Sequence, residues 1–524
     1  MSRGPKAVFQ GSLLAAITAT AVAAAGLGDE RALTFHVDQD QAGAGIIDVP
    51  TLIEAGRLLF TMRFTSLDGA GRPAATGAAA PTRRVPGQTQ TFSRTTGPDS
   101  GSCAACHNQP DAGGGGDFVV NVFVGPQERP ADVFTIAPEF TNERGTTGMH
   151  GSGLIELLAR EMTNDLLAIR AEAISQAAST MAPVRRELIT KGVDFGVISA
   201  QVNGDVDTSE VEGVGADLVI RPWSQKGLVI SLREFTINAM NHHHGMQAVE
   251  RYGMGQTGTR DFDQDKVALE LTAGDLTAVV LYQAALAPPR QIIPNDPDRA
   301  EAVLRGGEVF EEIGCASCHR QAMVLNDLVF TEPAAIAGKG TLSASDVQTP
   351  VKLDLADLEW AAELERTPEG GYIVRPFTDL KRHVIADDGM PFFDNETLRQ
   401  GFWLQPLPGP TAASSRQRGF FGQERVPTNA FLTRRLWGAG NSGPYGHRGD
   451  LTTLNEAILM HGGEARDQRL AYESMEHYDR AALIEFLLSW RIVPAPAAPA
   501  TTDLKDSPLT QYLRNLWQAG AAHR

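Results

Sequence analysis

Apolar residues recur at helical spacing across residues 48–65, where Leu52, Ile53, Gly56, Leu59, Phe60 and Met62 fall near one face, and this predicts a helix. Residues 151–174 carry a strong helical pattern, and residues 271–287 form an apolar helix stopped by Pro288-Pro289. Residues 299–313 predict a further helix. Residues 231–250 run from Leu232-Arg233-Glu234-Phe235 into Met240-Asn241-His242-His243-His244-Gly245-Met246. Alternation through Val119, Val120 and Val122 predicts a strand over residues 117–125. Residues 68–101 and 108–116 are rich in turn formers and read as loops, as do insertions at 184–217 and 394–426.

The pattern repeats itself. Gly56-x-x-x-Phe60 in the first half corresponds to Gly306-x-x-x-Phe310 in the second. Near the far ends, Asp275-Leu276-Thr277-Ala278-Val279-Val280-Leu281-Tyr282 corresponds to Asp479-Arg480-Ala481-Ala482-Leu483-Ile484-Glu485-Phe486. Each of these helices starts at an aspartate, read as its N-cap, and is ended by proline (Pro288, Pro494). The halves join at Pro294-Asn295-Asp296-Pro297, and residues beyond 495 read as a tail with a short helix.

The chemistry lies between those paired helices. All four cysteines fall in Cys103-Ala104-Ala105-Cys106-His107 and Cys315-Ala316-Ser317-Cys318-His319. C-x-x-C-H is the signature for covalent haem attachment: two thiols add to the porphyrin vinyl groups, and the following histidine can ligate iron. Zinc would need further ligands around each pair, and a dithiol redox motif gives no reason for histidine after both. The expected fold is therefore mainly α, with two cytochrome c-like haem domains in tandem carrying long loop insertions. The expected boundaries are a signal peptide at 1–25, domains at 26–290 and 291–495, and a tail at 496–524.

His107 and His319 are the expected proximal ligands, and the sixth ligand of each iron decides between electron transfer and small-molecule chemistry. For the second haem the candidate is His461, which follows an apolar helix and precedes Gly462-Gly463, with Met460 and His383 as competitors. For the first, the run His242-His243-His244 either covers the distal side or is a polar helix end. Glu156, in Gly153-Leu154-Ile155-Glu156, is a candidate pocket acid or an exposed carboxylate. Trp223 is a candidate electron relay or plain core.

Composition adds bounds. At 524 residues, with 42% hydrophobic and 21% charged residues, the chain suits a soluble globular protein of several domains. Arg3 and Lys6 precede an alanine-rich apolar stretch ending in Ala23-Ala24-Ala25, which reads as a signal peptide; export to the periplasm suits haem attachment. No later stretch is apolar enough to span a membrane. The net charge is −17, and about −19 without that peptide, which argues against nucleic acid and leaves a basic redox protein as a plausible partner.

These islands resemble the bacterial dihaem cytochrome c peroxidase superfamily, and within it the dihaem oxidoreductase branch. The matching stretches are the two cysteine motifs, Gly153-Leu154-Ile155-Glu156, Leu436-Trp437-Gly438, Pro444-Tyr445-Gly446-His447-Arg448-Gly449 and the segment from Leu454 through His461-Gly462-Gly463. The resemblance implies two covalent haems and an oxidoreductase, read as a peroxidase, that takes electrons from a small cytochrome c or cupredoxin. It implies His461 as distal ligand of the second haem, Trp223 as the inter-haem tryptophan, and calcium as a further ligand of such proteins. His243-His244-Gly245 falls where peroxidases carry an acid before Met-Gly. His243 or Glu156 is then the proton-handling group, and His244 a potential iron ligand. A purely electron-transferring cytochrome and a dihaem oxygenase or oxidase of an organic substrate are the alternatives.

Overall fold

Two glycines set close helix crossings among the described residues. In a computed structural model, helix Val49–Thr61 crosses helix Ala273–Ala285, and helix Pro297–Glu312 crosses helix His477–Ser489. A Cβ on Gly56 would lie 1.9 Å from the Ala278 carbonyl oxygen, and one on Gly306 would lie 2.0 Å from that of Ala482. Only glycine lets the backbones meet this closely. Phe60 packs on Tyr282 with ring centroids 5.3 Å apart, and Phe310 on Phe486 at 5.5 Å. The internal repeat read from the sequence is thus a repeated helix crossing.

The structure describes residues 28–71, 100–122, 142–262, 265–338, 340–392 and 426–494. The expected signal peptide, the C-terminal tail and most of the insertions at 68–101 and 394–426 lie outside the described residues. By its contacts the chain divides into two units, of which Glu30–Ala497 is the larger. The larger unit carries every element discussed below. Among the described residues, no helix is long and apolar enough to cross a membrane.

The expectation of a mainly α fold of tandem cytochrome c-like domains is not met: 39% of the described residues are helical and 16% are in strands, with several small sheets. The stretch read as a loop insertion at 184–217 contains a three-stranded antiparallel sheet, Val184–Thr190, Val193–Ala200 and Val206–Val211. Its residues Leu188, Phe195 and Ile198 are buried, and the sheet packs on helix Ser152–Thr180. Gly116–Val122 pairs with Asn142–Thr146, bearing out the predicted strand. Further ribbons pair Met323–Leu325 with Tyr372–Val374, Val329–Glu332 with Val351–Asp354, and Arg382–Val384 with Ala430–Leu432. Strands of three or four residues are too short to leave a period in the sequence.

Helix ends also differ in detail. Helix Ala273–Ala285 is capped by Thr272, whose hydroxyl accepts from the Asp275 N–H at 3.1 Å, while the Asp275 carboxylate accepts from the Thr272 N–H at 2.9 Å. Asp275 is therefore the third residue of a capping box rather than the cap itself.

A buried cation ties first-half to second-half residues. The Arg233 guanidinium donates to Glu250 at 2.6 Å, to Glu332 at 2.7 Å and to the Thr277 hydroxyl at 3.0 Å. Burial pushes the Glu332 carboxyl up to about 7 against the pull of Arg233. Removing one partner from such a group leaves a buried charge uncompensated and costs about 3–5 kcal/mol.

The helix crossings make a direct prediction. Gly306→Ala should destabilise the protein by about 1–3 kcal/mol through overpacking. Gly307→Ala, whose Cβ would meet only the Phe486 ring edge at 3.4 Å, should be close to neutral. Equal unfolding midpoints for the two variants in denaturant titration would contradict the close crossing.

Candidate functional site

Each cysteine motif forms a single tight turn. His107 N–H donates to the Cys103 carbonyl at 2.9 Å, and His319 N–H to that of Cys315 at 3.0 Å. The glycine run after the first motif packs against the motif itself: a Cβ on Gly116 would lie 2.1 Å from the Cys106 carbonyl oxygen. All four cysteines are unbridged, and burial pushes the Cys103 and Cys315 thiols up to about 12.

Both motif histidines are oriented by backbone. His107 Nδ1 lies 3.1 Å from the Thr147 carbonyl oxygen and 3.3 Å from that of Gly114; His319 Nδ1 lies 3.1 Å from that of Phe377. A carbonyl can only accept, so Nδ1 carries the proton and Nε2 keeps its lone pair. Burial, the largest cause in each case, pushes both imidazoles down to about 4. They are neutral near pH 7, the form that binds metal.

At the second motif, His461 stands opposite His319. Its Nδ1 donates to the Ala457 carbonyl at 2.8 Å, which again leaves Nε2 free, and burial lowers its basicity. The two rings lie with centroids 6.4 Å apart at 64°. Imidazoles on opposite faces of one iron, with metal–nitrogen bonds of roughly 2 Å, have centroids about 6 Å apart. A cleft lined by Cys315, Cys318, Phe310, Tyr445, Leu487 and both imidazoles surrounds this gap. These residues fit a haem. His383 offers no free nitrogen: Nε2 is 2.7 Å from Asp379 and Nδ1 is 2.7 Å from Glu464. Burial alone would lower its pKa, but hydrogen bonds to Asp379 and Cys318 prevail and raise it to about 11. Among the described residues, Cys318, Asp379 and His383 form the one grouping able to share an ion, and its sulfur and imidazole donors do not suit calcium.

At the first motif the histidine run lies on a widened turn, Met240–His244, closed by the Gly245 N–H on the Met240 carbonyl. Turns of this width recur at functional sites. Gly245 has φ +70°, and a Cβ there would lie 2.5 Å from the Gly71 nitrogen. Buried His244 has Nδ1 2.6 Å from the Ser100 carbonyl oxygen and Nε2 3.4 Å from Cys103 Sγ. His243 stands within electrostatic reach of His107 and lowers its pKa, as His461 does to His319.

Glu156 and Trp223 meet. The fully buried Glu156 carboxylate accepts from Trp223 Nε1 at 3.1 Å, from the Leu232 N–H at 2.6 Å and from Arg160 at 2.6 Å. It is held as an anchor for the indole. On the same indole, the Arg435 guanidinium lies 5.4 Å from the ring centroid.

Several site residues escaped the sequence reading. The carbonyls of Thr147, Phe377 and Ser100 orient histidines through backbone, which leaves no residue-type signal. Arg434 and Arg435 line the second-motif cleft, and the signal for them was available: two adjacent cations inside the stretch Phe431 to Trp437. By accessible surface Arg434 is exposed, but that surface is cleft wall, and the surrounding protein pushes its guanidinium down to about 10. Burial, then the charge of Arg434, pushes Arg435 down to about 9.

Glu156→Gln keeps the volume and removes the charge. It should destabilise the protein by about 3 kcal/mol, because Arg160 loses its partner and the new amide offers a donor where acceptors are needed. Unchanged stability in a denaturant titration would show that the carboxylate does not anchor Trp223.

Comparisons with known proteins add the following. No curated protein sequence matches the chain. A solved structure titled "Kuenenia stuttgartiensis Hydrazine Synthase Pressurized with 20 bar Xenon" is 15% identical, covering 93% of this chain and 100% of that one, at a TM-score of 0.29. That score is too low to carry an argument about the fold. Residues 422–490, which contain Arg434, Arg435 and His461, match the family model described as "Di-haem oxidoreductase, putative peroxidase", in agreement with the dihaem oxidoreductase resemblance over that segment.

Proposed function

We propose that the protein is an exported dihaem oxidoreductase that reduces hydrogen peroxide with electrons from a small redox protein. The observation that carries this reading is the facing pair His319 and His461, 6.4 Å apart in a cleft that also holds Cys315 and Cys318. On this reading Cys103, Cys106, Cys315 and Cys318 hold two haems covalently, and His107 and His319 are the proximal ligands. Bound haem would supply one-electron chemistry at iron and, where the sixth position is open, a place for peroxide.

The chain's own residues have unequal tasks. His461 closes the second site, which suits electron entry. His243 takes the distal side of the first site, where its imidazole can accept a proton from peroxide and return it to the departing oxygen. His244, whose Nε2 lies 3.4 Å from Cys103 Sγ, stands against the attachment turn and is assigned to holding it. Glu156 acts by fixing Trp223, the chain's candidate for carrying electrons between the two sites. Reduction of one peroxide to two waters consumes two electrons and two protons, the electrons supplied by the donor protein.

A second reading has one specific observation in its favour. His243 bears on His107 as His461 bears on His319. If His243 is an iron ligand, both sites are closed and the protein only transfers electrons.

Stopped-flow mixing of the half-reduced holoprotein with peroxide separates the two. Rapid reoxidation, slowed about 10²-fold or more in His243→Ala, is the result expected for a proton-transferring His243. No reaction in the parent and a fast reaction in His243→Ala would instead make His243 a ligand and sink the peroxidase reading.

A further inference from the structure

The cleft of the second motif has an unbalanced wall. Arg434 and Arg435 both line it, and the only carboxylate lining it among the described residues is Glu464. Glu464 is already engaged, accepting from the Val384 N–H at 2.7 Å and lying 2.7 Å from His383 Nδ1. Arg435 donates from Nη2 to the Gly148 carbonyl at 3.0 Å, but its buried Nη1 has no hydrogen-bond partner. No described residue forms a hydrogen bond or ion pair with the Arg434 side chain. Two neighbouring guanidiniums without a counter-ion repel each other and are costly to bury. Their position is central: the Arg434 backbone supports the His319 ring, its charge reaches His107, and Arg435 lies over Trp223.

We infer that Arg434 and Arg435 form a carboxylate-binding clamp in the cleft beside His319. Guanidinium groups suit the task, since each offers a planar fork of donors that matches a carboxylate. The carboxylates come either from the side chains of the porphyrin held by Cys315 and Cys318 or from a free organic acid entering the same cleft. The inference rests on the dihaem reading above, and the two fail differently. Without that reading the purified protein shows no haem absorption at all. Without the clamp it shows haem indifferent to both arginines.

The test uses the full-length holoprotein and its Arg434→Gln, Arg435→Gln and Arg434→Lys variants. Resonance Raman spectroscopy reads the porphyrin carboxylate bending bands, and succinate titration followed in the Soret region reads a free acid. A shift of a bending band in the glutamine variants, restored toward the parent in Arg434→Lys and with no response of the parent to succinate, assigns the clamp to the porphyrin. Saturable succinate binding by the parent, weakened about tenfold or more in the glutamine variants, assigns it to a free acid. Unshifted bands together with no succinate binding overturn the proposal. The Arg434 side chain has no partner to lose, so Arg434→Gln carries the test alone if Arg435→Gln, which gives up the Gly148 bond, does not accumulate.

Discussion

The candidate site depends on one kind of interaction made twice: a buried imidazole held at Nδ1 by a backbone carbonyl. Thr147 and Gly114 do this for His107, and Phe377 does it for His319. The bond sets the tautomer, leaves Nε2 its lone pair and, with burial, keeps the ring neutral. The glycine crossings serve the same end. They bring the helix packed beside each motif against its partner, so that the ring of Phe60 lies 6.2 Å from that of His107 and the ring of Phe310 6.5 Å from that of His319. A side chain at Gly56 or Gly306 would separate the helices and move the aromatic wall of the site.

Around this shared plan the two sites differ. His461 meets His319 squarely from the end of a short helix, Leu454–Leu459. At the other site a histidine run lies on a widened turn, where His244 Nε2 lies against Cys103 Sγ and His243 lowers the basicity of His107. Trp223 is fixed by Glu156 on one side and overlain by Arg435 on the other, and Arg435 lines the His319 cleft beside the unpaired Arg434. On the proposed reading this asymmetry separates electron entry from chemistry.

Much of this was legible in the sequence, for physical reasons. The cysteine motifs and the Gly-x-x-x-Phe repeat are local patterns whose meaning does not depend on distant residues. His461 could be singled out because a glycine pair after an apolar helix permits close backbone approach. The sheet at 184–211 was not legible, since its burial depends on packing against helix Ser152–Thr180. Glu156 read equally well as a pocket acid or a surface group, because its partners, Trp223 and the Leu232 N–H, lie 67 and 76 residues away. The carbonyls that orient the histidines have no sequence signature.

Electron paramagnetic resonance of the holoprotein, as isolated and half-reduced, addresses the unequal pair most directly. The account predicts one low-spin ferric haem with two histidine ligands, lost in His461→Ala, and a second haem that becomes high-spin in at least one of the two states. Two low-spin haems in both states, unmoved by peroxide and by the His461 substitution, would contradict it.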